Sequence, residues 1–338
     1  MNKTDIQTAQ NLLARKQKIA ILPHRNPDGD AMGSTLGLSL FLQELGHEVY
    51  VISPNEFPDF LAWMPQADKV VIFEKETEKA NKILAEVDLV FTLDFNVLHR
   101  VGELMEEALK KLSVPFLMID HHEKPDDYAT FMFSDIKYGS TCEMVYHFIS
   151  LLGNESLINQ QIATCLYTGI VTDSGSFKYP NTTSTTHRVV ASLIDKGVKN
   201  TETHQLIFDN NSFNKLKLLG RALENMVVLP HLKTAYILLS QKDLDEFHFQ
   251  KGDTEGIVNY PLTIKDIVFS VIFIENSQEK IIKMSFRSQG NFDVNLFARN
   301  YFSGGGHKNA AGGKSGLSMK ESITRFLEVL ANDNPAKL

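Results

Sequence analysis

Cysteine is scarce in this 338-residue chain, which has only two, Cys142 and Cys165. Two thiols without paired spacing support neither a disulfide framework nor a zinc ribbon. No apolar run approaches the roughly 20 residues needed to span a bilayer, and Met1-Asn2-Lys3-Thr4-Asp5 lacks the charged-then-apolar layout of a signal peptide. A cytoplasmic protein without membrane contact is therefore expected. Basic residues are also few: 34 Lys and Arg stand against 41 Asp and Glu, a formal net charge of −7. That balance argues against affinity resting on non-specific contact with long nucleic acid, which needs a basic footprint. A short anion held by metal ions stays allowed. Repeats and low-complexity tracts are missing. With 43% hydrophobic and 22% charged residues the composition is that of a globular protein. The length exceeds the roughly 250–300 residues at which single cores stop growing, so two domains are expected.

What the chain does have is Asp120-His121-His122, at the end of the apolar run Val114-Pro115-Phe116-Leu117-Met118-Ile119, which reads as a buried strand. Two imidazoles and a carboxylate where a buried strand surfaces are costly unless they bind something. The run Ile19-Ala20-Ile21-Leu22-Pro23 leads into His24-Arg25-Asn26-Pro27-Asp28-Gly29-Asp30, and Leu89-Val90-Phe91-Thr92-Leu93 leads into Asp94. A helical stretch over 160–171 runs into Thr172-Asp173-Ser174-Gly175. Four segments thus deliver His and Asp and almost no other ligand type.

The first half alternates strands with helices: a helix over 31–45 stopped by Gly46, strands at 47–53, 68–73 and 87–94, and a charged helix over 74–86. This alternation predicts an α/β fold with a mainly parallel sheet covered on both faces, and ligands gather at the carboxyl ends of strands in such sheets. Ser140-Thr141-Cys142-Glu143 fits a capping box, with a substrate contact as the rival reading. Residues 186–229 read as a helical connector. Beyond Pro230, strands at 234–240, 266–275 and 280–287, a turn at 274–279, and helices at 293–301 and 319–330 describe a smaller α+β domain.

Asp28 and Asp30 around Gly29 are ordinary turn chemistry when taken alone, and Asp94 or Asp173 alone would pass for helix caps. The conjunction is what matters. Four carboxylates and two or three histidines at one sheet edge repel one another unless cations neutralise them. Imidazole and carboxylate without thiolate suit manganese, iron or cobalt. Two such ions lower the pKa of a water and stabilise both oxygens of an in-line phosphoryl displacement, which points to phosphate-ester hydrolysis. A second constellation is the glycine run before His307. Three glycines let backbone approach a ligand, a helix start after them would offer amides to an anion, and Arg287 with Lys280, Lys283, Arg299, Lys308 and Lys314 makes the neighbourhood positive. The remaining histidines read as surface or packing residues. Arg100 is assigned equally to ordering the metal loop or to touching substrate, and Phe292, Phe297 and Phe302 are assigned to the core.

In order and spacing, His24-Arg25-Asn26-Pro27-Asp28-Gly29-Asp30-Ala31, Asp94, Asp120-His121-His122 and Gly169-Ile170-Val171-Thr172-Asp173-Ser174-Gly175-Ser176-Phe177 resemble the motifs of the DHH phosphoesterase superfamily. Residues 304–313 look like the glycine-histidine motif of its associated C-terminal domain. Ser174 stands where relatives often carry threonine. With no further nucleic-acid-binding domain, the chain is similar to the nanoRNase and pAp phosphatase group. That resemblance implies a metal-binding phosphoesterase domain over 1–190, a helical connector over 191–229 and a substrate-binding domain over 230–334, with the active site in the cleft between domains. It implies two divalent ions, manganese by expectation. One would be held by His24, Asp28, Asp94 and Asp173, the other by Asp30, Asp94, His121 and Asp173. His122 would face the scissile phosphate, Asp120 would orient a histidine, and Arg287, Gly305, Gly306 and His307 would grip the far phosphate. The implied substrates are short single-stranded RNA, cut to mononucleotides, and pAp, relieved of its 3′-phosphate; long duplex nucleic acid and membrane are not expected. The rival substrate is a cyclic dinucleotide such as cyclic di-AMP. A homodimer is admitted, though no residue argues for it.

Overall fold

The computed structural model describes residues 3–250 and 252–337. The chain divides into two compact units, Met1–Asn210 and Asn211–Leu338. In the first, six strands, β1 (Lys18–Leu22), β2 (Glu48–Ser53), β3 (Val71–Ile72), β4 (Leu89–Leu93), β5 (Phe116–Asp120) and β6 (Phe131–Ser134), form a sheet in the order β3-β2-β1-β4-β5-β6. Every pairing in it is parallel. Its helices are α1 (Lys3–Leu13), α2 (Gly29–Glu44), α3 (Thr77–Glu86), α4 (Glu103–Leu109), α5 (Thr141–Leu151), α6 (Gln160–Asp173), α7 (Ser184–Asp195) and α8 (Asn200–Phe208).

Side chains alternate across a strand, and in β4 both faces are buried. Leu89, Phe91 and Leu93 join the core shared with α2, α5 and α6, while Val90 joins the core shared with α3 and α4. This is why β4 and β5, apart from Thr92 and the terminal Asp120, are apolar rather than alternating. Helices α2 and α6 approach so closely that a Cβ on Gly33 would sit 2.6 Å from the Cys165 carbonyl oxygen. Gly29, Gly33 and Gly37 recur every fourth residue and so line one face of α2.

The second unit holds α9 (Phe213–Glu224), β7 (Val227–Leu229), β8 (Thr234–Leu239), α10 (Gln241–Glu246), β9 (Phe269–Asn276), β10 (Ile281–Ser288), α11 (Val294–Tyr301), β11 (Gly305–His307), β12 (Ala310–Ser315) and α12 (Met319–Asn332). Its sheet runs β11-β12-β10-β9-β8-β7, parallel only between β8 and β9. Phe292, Phe297 and Phe302 are buried in its core, as expected, around Phe269 and Phe326.

Three local expectations fail. The strand expected at 68–73 shrinks to two residues behind a 3-10 turn over Ala67–Lys69. The helical reading of 186–229 ends early, since Val227–Leu229 pairs with β8 as an edge strand. The glycine-rich segment folds into the β11–β12 hairpin rather than a loop before a helix start. Gly304 and Gly306 lie so close to β12 that a Cβ would meet the carbonyl oxygens of Gly312 and Ala310 at 1.9 and 2.4 Å. Glycine serves strand contact there, which composition alone does not distinguish from a phosphate loop.

Candidate metal centre

His24 follows β1, Asp94 follows β4, Asp120 ends β5 with His121 and His122 behind it, and Asp173 ends α6. Asp28 is the N-cap of α2, accepting through Oδ1 from the amides of Asp30 and Ala31 at 3.0 and 3.1 Å. The helix-capping role and a place in the cluster thus coexist in one residue. Asp94 leaves its strand at φ 65°, in the left-handed region that costs a non-glycine residue about 1–2 kcal/mol. Strain of this kind persists where surrounding contacts over-determine it, and at a site it points to function.

These residues converge. Donor atoms of His24, Asp28 and Asp94 lie within 4.8 Å of one another; so do those of Asp30, His121 and Asp173, and those of Asp94, His121 and His122. Nε2 of His24 is 3.4 Å from Asp94 Oδ2, and Nε2 of His121 is 3.4 Å from Asp94 Oδ1, 3.5 Å from Asp173 and 3.9 Å from Asp30. Two atoms each about 2.1 Å from one shared cation sit roughly 3–4 Å apart, so these spacings suit divalent ions. The ring orientation fits as well. His24 Nδ1 lies 2.9 Å from the Arg25 carbonyl and His121 Nδ1 lies 3.3 Å from the Tyr138 carbonyl, so each ring donates outward and turns Nε2 inward. Asp120 holds His122 twice, accepting from its backbone amide at 2.9 Å and meeting Nδ1 at 2.7 Å.

Electrostatics state the same need. Burial, then Asp94 and Asp173, push Asp30 well above the usual carboxylate range. Burial also raises Asp173, to about 7; His121 opposes the rise, while Asp28 and Asp94 add to it. Burial acts to raise Asp94 too, but hydrogen bonds with His121 and His24 outweigh it and hold it well below. His121 ends well above its ordinary value because Asp94, Asp173 and Asp30 override the effect of its burial. His24 is raised in the same way, against burial, chiefly by Asp94. Without a cation, the cluster retains protons to relieve repulsion.

Sequence reasoning missed the brace behind the cluster. The first turn of α5 donates two amides to Asp30, from Thr141 to Oδ2 at 2.6 Å and from Cys142 to Oδ1 at 2.9 Å. The Thr141 hydroxyl donates to Asp94 Oδ1 at 2.8 Å. Ser140 caps this helix by accepting from the Glu143 amide, but Glu143 does not close the box; its buried carboxylate accepts from Thr186 Oγ1 at 2.9 Å. A helix start after the strand carrying Asp120, with a hydroxyl one residue past its cap, was the available signal. Arg100 contributes its carbonyl to the Arg25 amide at 2.8 Å, and so helps hold the loop after His24.

In the second unit, Arg287 on β10 and His307 on β11 both pair opposite Ala310 of β12, which brings them to one level of the sheet. Gly305 and Gly306 lie within β11, and the Gly306 amide donates to Asn295 Oδ1 at 2.9 Å.

Two family models match this chain: the DHH family N-terminal domain over residues 18–170 and the DHHA1 domain over 233–333. The bifunctional oligoribonuclease and PAP phosphatase NrnA of Thermus thermophilus is 31% identical over 334 residues, covering 96% of this chain and 93% of that protein. The chain belongs to the DHH phosphoesterase superfamily, in its NrnA-type group. The NrnA protein of Bacillus subtilis is 30% identical over 291 residues, 86% of each chain. Among solved structures, an exopolyphosphatase-related protein from Bacteroides fragilis superposes with a TM-score of 0.97 at 36% identity, covering 100% of this chain and 98% of its own. No helix among the described residues of this NrnA-type chain is long and apolar enough to cross a membrane.

Proposed function

We propose that this protein is a metal-dependent phosphoesterase that hydrolyses short oligoribonucleotides to mononucleotides and removes the 3′-phosphate of pAp. The observation that carries the reading is the convergence of two histidines and four aspartates around Asp94, itself one of the four and the residue whose oxygens face both His24 and His121. In the proposed assignment His24, Asp28, Asp94 and Asp173 hold one divalent ion and Asp30, Asp94, His121 and Asp173 the other, manganese being favoured by the mixed nitrogen and oxygen donors. When bound, such ions supply a water of lowered pKa and neutralise charge on the phosphoryl oxygens. The chain's own contribution is to fix the donors. Asp120 locks the His122 ring, which in this reading donates a hydrogen bond to the scissile phosphate, while α5 holds Asp30 and Asp94 in place.

The grip on the rest of the substrate is assigned to Arg287, Gly305, Gly306 and His307, a role supported by the shared level of Arg287 and His307 opposite Ala310. Residues 1–190 are assigned to the chemistry, 191–229 to connection and 230–334 to substrate binding, in a cytoplasmic enzyme. The deciding experiment is manganese-dependent release of mononucleotide from a 5′-phosphorylated RNA dinucleotide, with pAp and cyclic di-AMP in parallel. Rapid turnover of the first two supports the proposal; preferential opening of the cyclic compound overturns the substrate assignment and keeps the metal chemistry. In the same assay Arg287→Ala and His307→Ala reduce nucleotide hydrolysis far more than hydrolysis of p-nitrophenyl phosphate, and equal losses would remove the separate grip.

A further inference from the structure

A cavity of about 380 Å³ opens beside His122, and none of the six clustered donors lines it. Its floor is the outer face of β6. That strand is last in the sheet, and while Phe131 and Phe133 are buried in the main core, Met132 and Ser134 alternate to the other side and stay half-buried. The register sets Ser134 beside Asp120, so the floor begins next to the residue that holds His122. Lys124 and Pro125 from the β5–β6 loop form one wall, and Ile136, 60% exposed, forms another.

The walls are built rather than loose. Asn96 Nδ2 donates to the carbonyls of His122 and Glu123 at 3.0 and 3.1 Å, and the Asp126 amide donates to the Asn96 carbonyl at 3.0 Å. On the other side the Asp135 amide donates to the Asp120 carbonyl at 3.2 Å. Lys124 sits at φ 62°, a left-handed lysine kept at the cavity rim, and such outliers cluster at ligand clamps.

Size and chemistry name the occupant's class. The volume falls within the roughly 300–1,000 Å³ typical of small-molecule sites. Met132, Ile136 and Pro125 offer an apolar surface for the face of a base, the Ser134 hydroxyl and Asp135 carboxylate suit ribose hydroxyls or an exocyclic amine, and Lys124 suits a phosphate. A phosphodiester reacting at the Asp94 cluster beside His122 would have one flanking nucleoside within reach. We propose that this cavity is a nucleoside subsite, holding one nucleoside that flanks the scissile phosphate and setting the preference for a dinucleotide over a bare phosphate ester. The proposal rests on the phosphoesterase reading given above.

The test uses the full chain with manganese, a 5′-phosphorylated RNA dinucleotide, and two versions of it made abasic at one end or the other. For the unmutated protein, removing the base at one end raises KM about tenfold, in line with burial of one apolar ring face. Ile136→Glu, at an exposed position that leaves the core intact, raises KM for the intact dinucleotide by about the same factor and abolishes the further penalty for the missing base, because the two changes act on one contact. Lys124→Ala raises KM with kcat within about twofold. If both variants keep the unmutated KM on the intact dinucleotide, the subsite is refuted while the phosphoesterase reading stands. If the unmutated protein hydrolyses none of these esters with metal present, the phosphoesterase reading fails and the subsite falls with it.

Discussion

Asp94→Asn separates a metal centre from a merely polar cluster, because Asp94 belongs to two of the three groups whose donors lie within 4.8 Å of one another. The substitution keeps the volume and keeps Oδ1 as an acceptor for the Thr141 hydroxyl, but removes a charge that faces Asp30 and Asp173. That charge also pairs with His24 and His121, so the metal-free variant should fold with a Tm somewhat below that of the unmutated protein. For the latter, metal at a hundred times its Kd stabilises by about 2.7 kcal/mol. In a unit the size of Met1–Asn210, each kcal/mol moves Tm by about 2–4 °C, so the rise should be about 5–10 °C. Asp94→Asn should abolish most of that rise and reduce turnover at least about a thousandfold, equivalent to roughly 4 kcal/mol of transition-state stabilisation. Asp28→Asn is the control, since asparagine caps a helix as well as aspartate does and Asp28 belongs to one group only; it should lose part of the rise. The measurements are thermal denaturation in chelator and in manganese, with dinucleotide turnover alongside. A full metal-induced rise and near-normal turnover in Asp94→Asn would refute the reasoning.

Thr141→Val removes the hydroxyl that donates to Asp94 but keeps the two amides on Asp30; manganese affinity by calorimetry should fall about tenfold or more and be restored by Thr141→Ser, and no change would dismiss the brace. The pH response follows from the shifted groups. His24 and His121 are raised in the folded state, so their stabilisation is complete below about pH 6.5 and is lost as pH rises through the folded values. Asp30 and Asp173 are raised too, Asp173 to about 7, so from about pH 4 to 7 the folded chain keeps protons that the unfolded chain releases, and stability again falls as pH rises. Asp94, held low, acts with the opposite sign only below about pH 4. The Tm difference between manganese and chelator should accordingly widen from pH 5 to 8, and a difference that narrows would count against this charge assignment. Gly169→Ala would place a Cβ 2.2 Å from Cys142 Sγ and 2.8 Å from Asp30 Oδ1; it should cost about 1–3 kcal/mol in urea denaturation and weaken metal binding, with partial recovery on adding Cys142→Ala.

The reach of the sequence can be seen residue by residue. Apolar runs ending in His24, Asp94 and Asp120 were legible because a parallel strand buried on both faces is largely apolar and turns charged only where it surfaces. The convergence of those ends was legible too, since parallel strands share a carboxyl edge. The α5 brace was not. Ser140 and Glu143 satisfied a capping pattern, and nothing local tells a helix start facing solvent from one whose amides meet a buried carboxylate 111 residues away. The glycine run before His307 misled for a related reason: glycine permits close approach of anything, and what approaches here is the neighbouring strand β12.

By itself, then, the sequence determined the ligand types, their order and the alternation that carries them to one edge, because these depend on period and local chemistry. Tertiary structure alone decided which oxygen faces which imidazole, that Thr141 orients Asp94, and that the outer face of β6 is left open beside His122. Each of those depends on contacts between segments far apart in the chain, where packing rather than local preference sets the distance.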